Sequence, residues 1–315
     1  MRSLFSRSSV SAIKSTKPGQ LVSAVGADRR VPTWAAGLIG GLSRDLPSVV
    51  TREDISERLT DAGSDRDVDS TINELRRLGW LVGLPIHGVW AFIPPGQDQL
   101  ADPYVVLRAW QARDPEAGFM LAGAAAAWHL GYLDRAPDQQ TAVWLPAATR
   151  LPDGLRPHVS VVQLRWSGAA TNLLGPSTKF LLQRKLDLVS WASGLPAFGP
   201  EALIVQLAAR PSSFLPWADI IAHLDRLADD CDDERLATLL ADQSTSAWQR
   251  AAYLLHAAGR PSRGLDLLDL RPRRPMPKVK FEHRSVGGND SGMWAPDYHL
   301  LDRLIAPLQL VLGKA

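Results

Sequence analysis

The residues of this 315-residue sequence best suited to chemistry are Arg66, Ser70, Asn73 and Arg77, a set that shares one arc of a helix at 100° per residue. Arginine can pair bidentately with guanine and asparagine with adenine, so such a row on an exposed helix suits the major groove of double-stranded DNA. Thr51, Arg52, Arg76 and His87, on nearby predicted elements, join them as candidate DNA contacts. Any one of these residues could equally belong to a solvated helix face. The order of elements around them is the more specific signal.

Catalytic chemistry finds little footing. There is no Gly-x-x-x-x-Gly-Lys, His-Glu-x-x-His or Gly-x-Ser-x-Gly, and the seven histidines and one cysteine form no cluster of zinc-ligand spacing. No lysine has an acid two positions before it, as a nuclease fold of a related bacterial architecture would need. Asp229-Asp230-Cys231-Asp232-Asp233 could bind a cation, or could supply turn and cap acids between two helices. The expectation is a protein without enzymatic activity, metal or cofactor. Eleven tryptophans could line a ligand pocket, but Trp90, Trp128, Trp144, Trp166 and Trp248 fall in predicted helices or strands, where core packing is the usual use.

The elements that must position the polar row are legible. Thr51-Arg52-Glu53-Asp54 reads as a capped helix start, with Ile55 and Leu59 as its buried face and Gly63 as its stop. Ser64-Asp65-Arg66-Asp67 has a capping-box-like spacing and opens a second helix, whose packed arc is Val68, Ile72, Leu75 and Gly79. Leu78–Val82, the turn Pro85-Ile86-His87-Gly88, and Val89–Ile93 then read as strand, tight loop, strand. Helix, turn, helix and hairpin together predict a winged helix-turn-helix over 33–96. That segment carries six Arg against nine Asp and Glu, so a single copy should bind DNA modestly, helped by a homodimer or by a basic leader.

Charge and breakers divide the chain. Residues 1–30 hold six Lys/Arg against one acid, and residues 271–284 hold the same ratio, on an otherwise acidic body. Residues 1–32 read as a flexible basic leader, with a transit peptide as the alternative. Pro94-Pro95-Gly96 marks a boundary, after which 97–315 form a C-terminal domain. Within it a small α/β unit spans about 103–170, with helices ending near Ala112 and over Phe119–Leu130 and strands over Thr141–Leu145 and His158–Trp166. A helical part follows over about 176–270: Glu201–Ala209, Pro216–Ala228, Asp233–Leu240 and Ser246–Ala258, the last stopped by Gly259. A basic proline-rich segment and apolar tail complete the chain over 271–315. The fold class is therefore α+β. With one cysteine, and with the uncharged 17 residues Ala117–Leu133 rich in Ala and Gly and containing His129, the expectation is a cytoplasmic protein without a membrane span.

Three passages resemble the AbiEi-type antitoxin family, the regulatory half of bacterial toxin–antitoxin pairs whose toxin is a nucleotidyltransferase. They are Val50–Ile55 with Leu75–Leu81 and Gly88–Ala91; Phe119–Gly123 through Gly131–Leu133; and Ser246–Leu255 ending at Gly259. The resemblance implies an N-terminal domain that represses its own operon and a C-terminal domain that antagonises the toxin, directly or functionally. Arg271, Arg273, Arg274, Lys278 and Lys280 are candidate toxin contacts, because their prolines favour an extended, exposed chain; the alternative is a plain basic connector. A stand-alone winged-helix regulator with a ligand-sensing C-terminal domain is the other functional class.

Overall fold

The computed structural model describes residues 29–98, 102–137, 140–176, 194–283 and 292–313, so most of the leader and Arg284 lie outside the described residues. The chain is α+β and divides into two compact units. The first extends to Leu84 and resumes over Val89–Val105; the second takes Pro85–Gly88 and everything from Val106 onward.

In the first unit the order is α1 (Ala36–Asp45), β1 (Val50–Thr51), α2 (Arg52–Asp61), α3 (Val68–Arg77), β2 (Leu81–Gly83) and β3 (Val89–Phe92). A capping box starts α2: the Asp54 amide donates to the Thr51 hydroxyl at 3.2 Å, and the Thr51 amide donates to the Asp54 carboxylate at 2.7 Å. Gly63, at φ +60°, permits the turn that follows. The second helix does not open at Ser64. Its cap is Asp67, which accepts the Ser70 amide at 2.8 Å, and the helix begins at Val68, the first side chain in the stretch with apolar surface to bury. Arg66 therefore stands on the turn before α3 rather than on the helix. The strands form one antiparallel sheet, order β1-β3-β2, with Val50 opposite Trp90 and Leu81 opposite Phe92. Leu38, Leu42, Val50, Ile55, Ile72, Leu75, Trp80 and Phe92 close a single core under the helices.

The second unit opens with α4 (Val105–Arg113), β4 (Met120–Leu121), α5 (Gly123–His129), β5 (Thr141–Trp144), β6 (Val159–Val162) and α6 (Gly168–Thr171). The helix expected from Phe119 starts only at Gly123, because Met120-Leu121 pair with β5 on one side and Leu121 bridges to Ala197 on the other. The sheet order is β4-β5-β6, the first pair antiparallel and the second parallel. At the strand-to-helix corner Gly123 takes φ +51° and its amide donates to Oε1 of buried Gln206 at 2.7 Å.

The helical part comprises α7 (Pro200–Ala209), α8 (Trp217–Ile221), α9 (Leu224–Asp229), α10 (Asp233–Leu240), α11 (Thr245–Ala257) and α12 (Pro261–Asp269). The single helix expected over Pro216–Ala228 is broken at Ala222-His223, and α12 was not foreseen at all. Residues Pro200–Ala208 of α7 are all buried, the mark of a central helix. Packed against it and against α12, α11 contributes Trp248, Ala252, Tyr253 and Leu255 to one large core. The region expected to be an apolar tail is instead a third sheet, β7 (Val279–Phe281), β9 (Leu300–Asp302) and β8 (Met293–Ala295) in that order, followed by α13 (Ile305–Val311). Buried Asp302 caps that helix, accepting the amides of Leu304, Ile305 and Ala306, and also receives the Tyr253 hydroxyl at 2.8 Å.

Candidate nucleic-acid interface

Helix α3 buries Thr71, Ile72 and Leu75 and turns Ser70, Asn73, Arg76 and Arg77 to solvent. A helix with this much contrast between its faces is held by the buried one and free to present the other. Ser70, Asn73 and Arg77 occupy the arc foreseen for them. His87 is exposed on the turn between β2 and β3.

The remaining candidates are engaged. The Thr51 side chain serves the capping box of α2. Arg52, the first residue of α2, forms a two-pronged ion pair with Asp69 of α3, Nε to Oδ1 at 3.0 Å and Nη2 to Oδ2 at 3.3 Å. That hydrogen bond, before any other influence, holds the Arg52 guanidinium above its ordinary pKa. The Arg66 guanidinium lies 3.8 Å from the ring centre of Trp34 and donates to Glu74 at 2.8 Å. Glu74 also faces Arg77 at 3.9 Å. Asp67, spent on the cap, has its carboxyl lowered by the Ser70 amide.

Sequence reading missed Asp69, Glu74 and Trp34. Asp69 and Trp34 lie 17 and 32 positions from the arginines they meet and Glu74 lies eight from Arg66; only its i,i+3 spacing to Arg77 is visible from sequence.

At the root of this unit Arg29 donates to the carbonyls of Ile93 and Pro94 at 3.2 Å, and also to the Gln97 carbonyl, while its guanidinium sits 5.6 Å from the Trp80 ring centre. Trp80 in turn donates its indole N–H to the Arg30 carbonyl at 3.1 Å and stacks on Phe92. The last residues of the basic leader are thereby tied to the strand ends.

In the second unit Arg273, Arg274, Lys278 and Lys280 are exposed, as expected for a proline-rich stretch. Arg271 departs from the expectation: it is half-buried and donates to the Leu268 carbonyl at 2.9 Å, closing the end of α12. Lys280 lies within β7, whose pairing to β9 fixes it, so the segment is only partly irregular. Among the described residues no three His, Cys, Asp or Glu side chains gather as a metal site would need, and no helix is long and apolar enough to cross a membrane.

Two comparisons bear on identity. Residues 116–257 match the model of the AbiEi antitoxin C-terminal domain. The crystal structure of the RV2827C protein from Mycobacterium tuberculosis is similar at 58% identity with a TM-score of 0.84, over 93% of this chain and 99% of that one. Through residues 116–257 the chain belongs to the AbiEi-type antitoxin family. No curated protein matches it. In this antitoxin-family chain the matched stretch runs from just before β4 to the end of α11, taking in the β4-β5-β6 sheet and the buried helix α7. The exposed face of α3 precedes that stretch, and the basic residues 271–280 follow it.

Proposed function

We propose that the chain is the antitoxin of a bacterial toxin–antitoxin pair, that its first unit is a winged helix-turn-helix repressing its own operon, and that its second unit antagonises a nucleotidyltransferase toxin. It acts by binding, without catalysis or cofactor. The observation that carries the DNA half is the exposed row Ser70, Asn73, Arg76 and Arg77 on a helix preceded by a capped helix and a tight turn and followed by a hairpin. Support for the toxin half is the antitoxin domain matched over 116–257. Helix α3 would enter the major groove, with Asn73 and Arg77 at base edges and Arg76 at phosphate or base. Exposed Arg273, Arg274, Lys278 and Lys280 offer an acidic partner a contact surface.

The test is a fluorescence-anisotropy titration of the protein's own promoter. Arg77→Ala should weaken binding by about 1 to 3 kcal/mol if the arginine reads a base. The combined Asn73→Ala, Arg76→Ala, Arg77→Ala variant should lose discrimination between promoter and unrelated duplex. Unchanged affinity in that folded triple variant rules out α3 as the reading element.

A further inference from the structure

We infer that Asp69 and Glu74 set the DNA specificity of this protein by holding the arginines of the α3 face in ion pairs that only the operator can open. The inference rests on the reading of the first unit as a DNA-binding domain.

Four arginines stand on or beside the exposed face of α3: Arg52, Arg66, Arg76 and Arg77. Two carboxylates engage three of them. Asp69 takes both prongs of Arg52, and Glu74 takes Arg66 at 2.8 Å and faces Arg77 at 3.9 Å. Neither acid is a helix cap, although Asp69 lies in the first turn of α3 and its pair with Arg52 also ties α2 to α3. The cap of α3 is Asp67, the capping box of α2 belongs to Asp54, and no hydrogen bond from a backbone amide reaches Asp69 or Glu74 among the described residues. Asp69 is exposed beside the face that would meet DNA and Glu74 is half-buried at its border.

Non-operator duplex binds through its phosphates, and the affinity it gains rises with the number of counterions the protein displaces. An arginine already paired to a carboxylate presents a dipole rather than a full charge beyond a few ångströms, so it attracts phosphate weakly. The pairs themselves are exposed, and exposed ion pairs are weak. A cognate base edge that offers two hydrogen bonds to a released guanidinium can compensate for opening one; a lone phosphate compensates less. The carboxylates thus subtract more from non-operator binding than from operator binding. The same arrangement lets six arginines serve a DNA-facing segment, residues 33–96, that also holds nine acids.

The experiment titrates the full-length protein against two duplexes of equal length, one its own promoter and one scrambled, at several salt concentrations. Asp69→Asn, at an exposed position, and Glu74→Gln, at a half-buried one, keep the side-chain shape, and unchanged melting temperatures establish that they fold. Each should raise affinity for the scrambled duplex about two- to fivefold, the worth of one exposed ion pair. The slope of log affinity against log salt should steepen by about 0.9 for each arginine that gains a phosphate. The ratio of promoter to scrambled affinity should fall. In an Arg52→Gln background the gain from Asp69→Asn should disappear. Scrambled-duplex affinity that stays level or drops, or a gain that survives Arg52→Gln, overturns the inference while leaving the domain a DNA binder. Wild-type protein that binds neither duplex overturns the underlying reading, and this inference with it.

Discussion

Each carboxylate in the Asp229–Asp233 run has its own partner. Asp229 forms a two-pronged pair with Arg260, Asp230 accepts the Tyr132 hydroxyl at 2.7 Å, Asp232 caps α10, and Asp233 forms a two-pronged pair with Arg263. The cation reading of that run has a competitor at every ligand. Behind it Glu201 is only 1% exposed, accepts the Asp232 amide at 3.0 Å and faces Arg235 at 3.7 Å. Burial is the largest influence on it and pushes its carboxyl above the usual range; burial likewise pushes the Cys231 thiol up. Because the folded value exceeds the unfolded one, the stability associated with protonated Glu201 is full below the ordinary carboxylate range and is lost as pH rises through the raised value. Glu201→Gln stays neutral and keeps an oxygen for the Asp232 amide. Its melting temperature relative to wild type should therefore improve between about pH 4 and about pH 7. A difference that is flat, or that moves the other way, would show that Arg235 and the amide already compensate for the buried charge.

Helix α12 shows how elements set each other's sequence. Gly264 faces α11 so closely that a Cβ there would stand 2.5 Å from the Ala252 carbonyl oxygen. Backbone cannot yield as a flexible side chain can, so Gly264→Ala should destabilise the protein by about 1 to 3 kcal/mol, read as a lower denaturant midpoint at unchanged slope. A midpoint within error of wild type would mean that the two helices slide apart without cost. Contacts of this kind are what sequence reading lacks. Capped, periodic elements were legible: α2 from its Thr51 box, α7 from Pro200, and α10 and α11 from their acids and from Gly259. Elements that exist only by pairing were not. Strands of two or three residues, β4, β7, β8 and β9, are too short to show alternation, and they became a helix or a tail on paper. At the candidate interface, residue type and spacing gave the exposed arc of α3, but the ion pairs that occupy Arg52 and Arg66 join separate turns of chain and leave no periodic trace.

At the scale of the whole molecule, several described aromatic residues that could have lined a ligand pocket are spent on packing. Trp144, Trp166 and Phe198 meet edge to face or tilted at 5.6 to 6.3 Å, and the indole N–H groups of Trp144 and Trp166 donate to the carbonyls of Leu164 and Leu239. The candidate contact residues left exposed, Ser70, Asn73, Arg76 and Arg77 on α3 and Arg273, Arg274, Lys278 and Lys280, lie in different units. On the proposed function these are two binding surfaces with separate tasks, one for operator and one for toxin. The decisive measurement is growth of cells that express the proposed toxin, taken as the product of the neighbouring gene, from a promoter the chain does not control. Co-expression of the full-length protein should restore growth, and the Asn73→Ala, Arg76→Ala, Arg77→Ala variant, unable to hold its operator, should restore it equally. Growth that stays arrested with wild-type protein present would contradict the antitoxin assignment, and rescue by wild type but not by the α3 variant would contradict the division of tasks between the units.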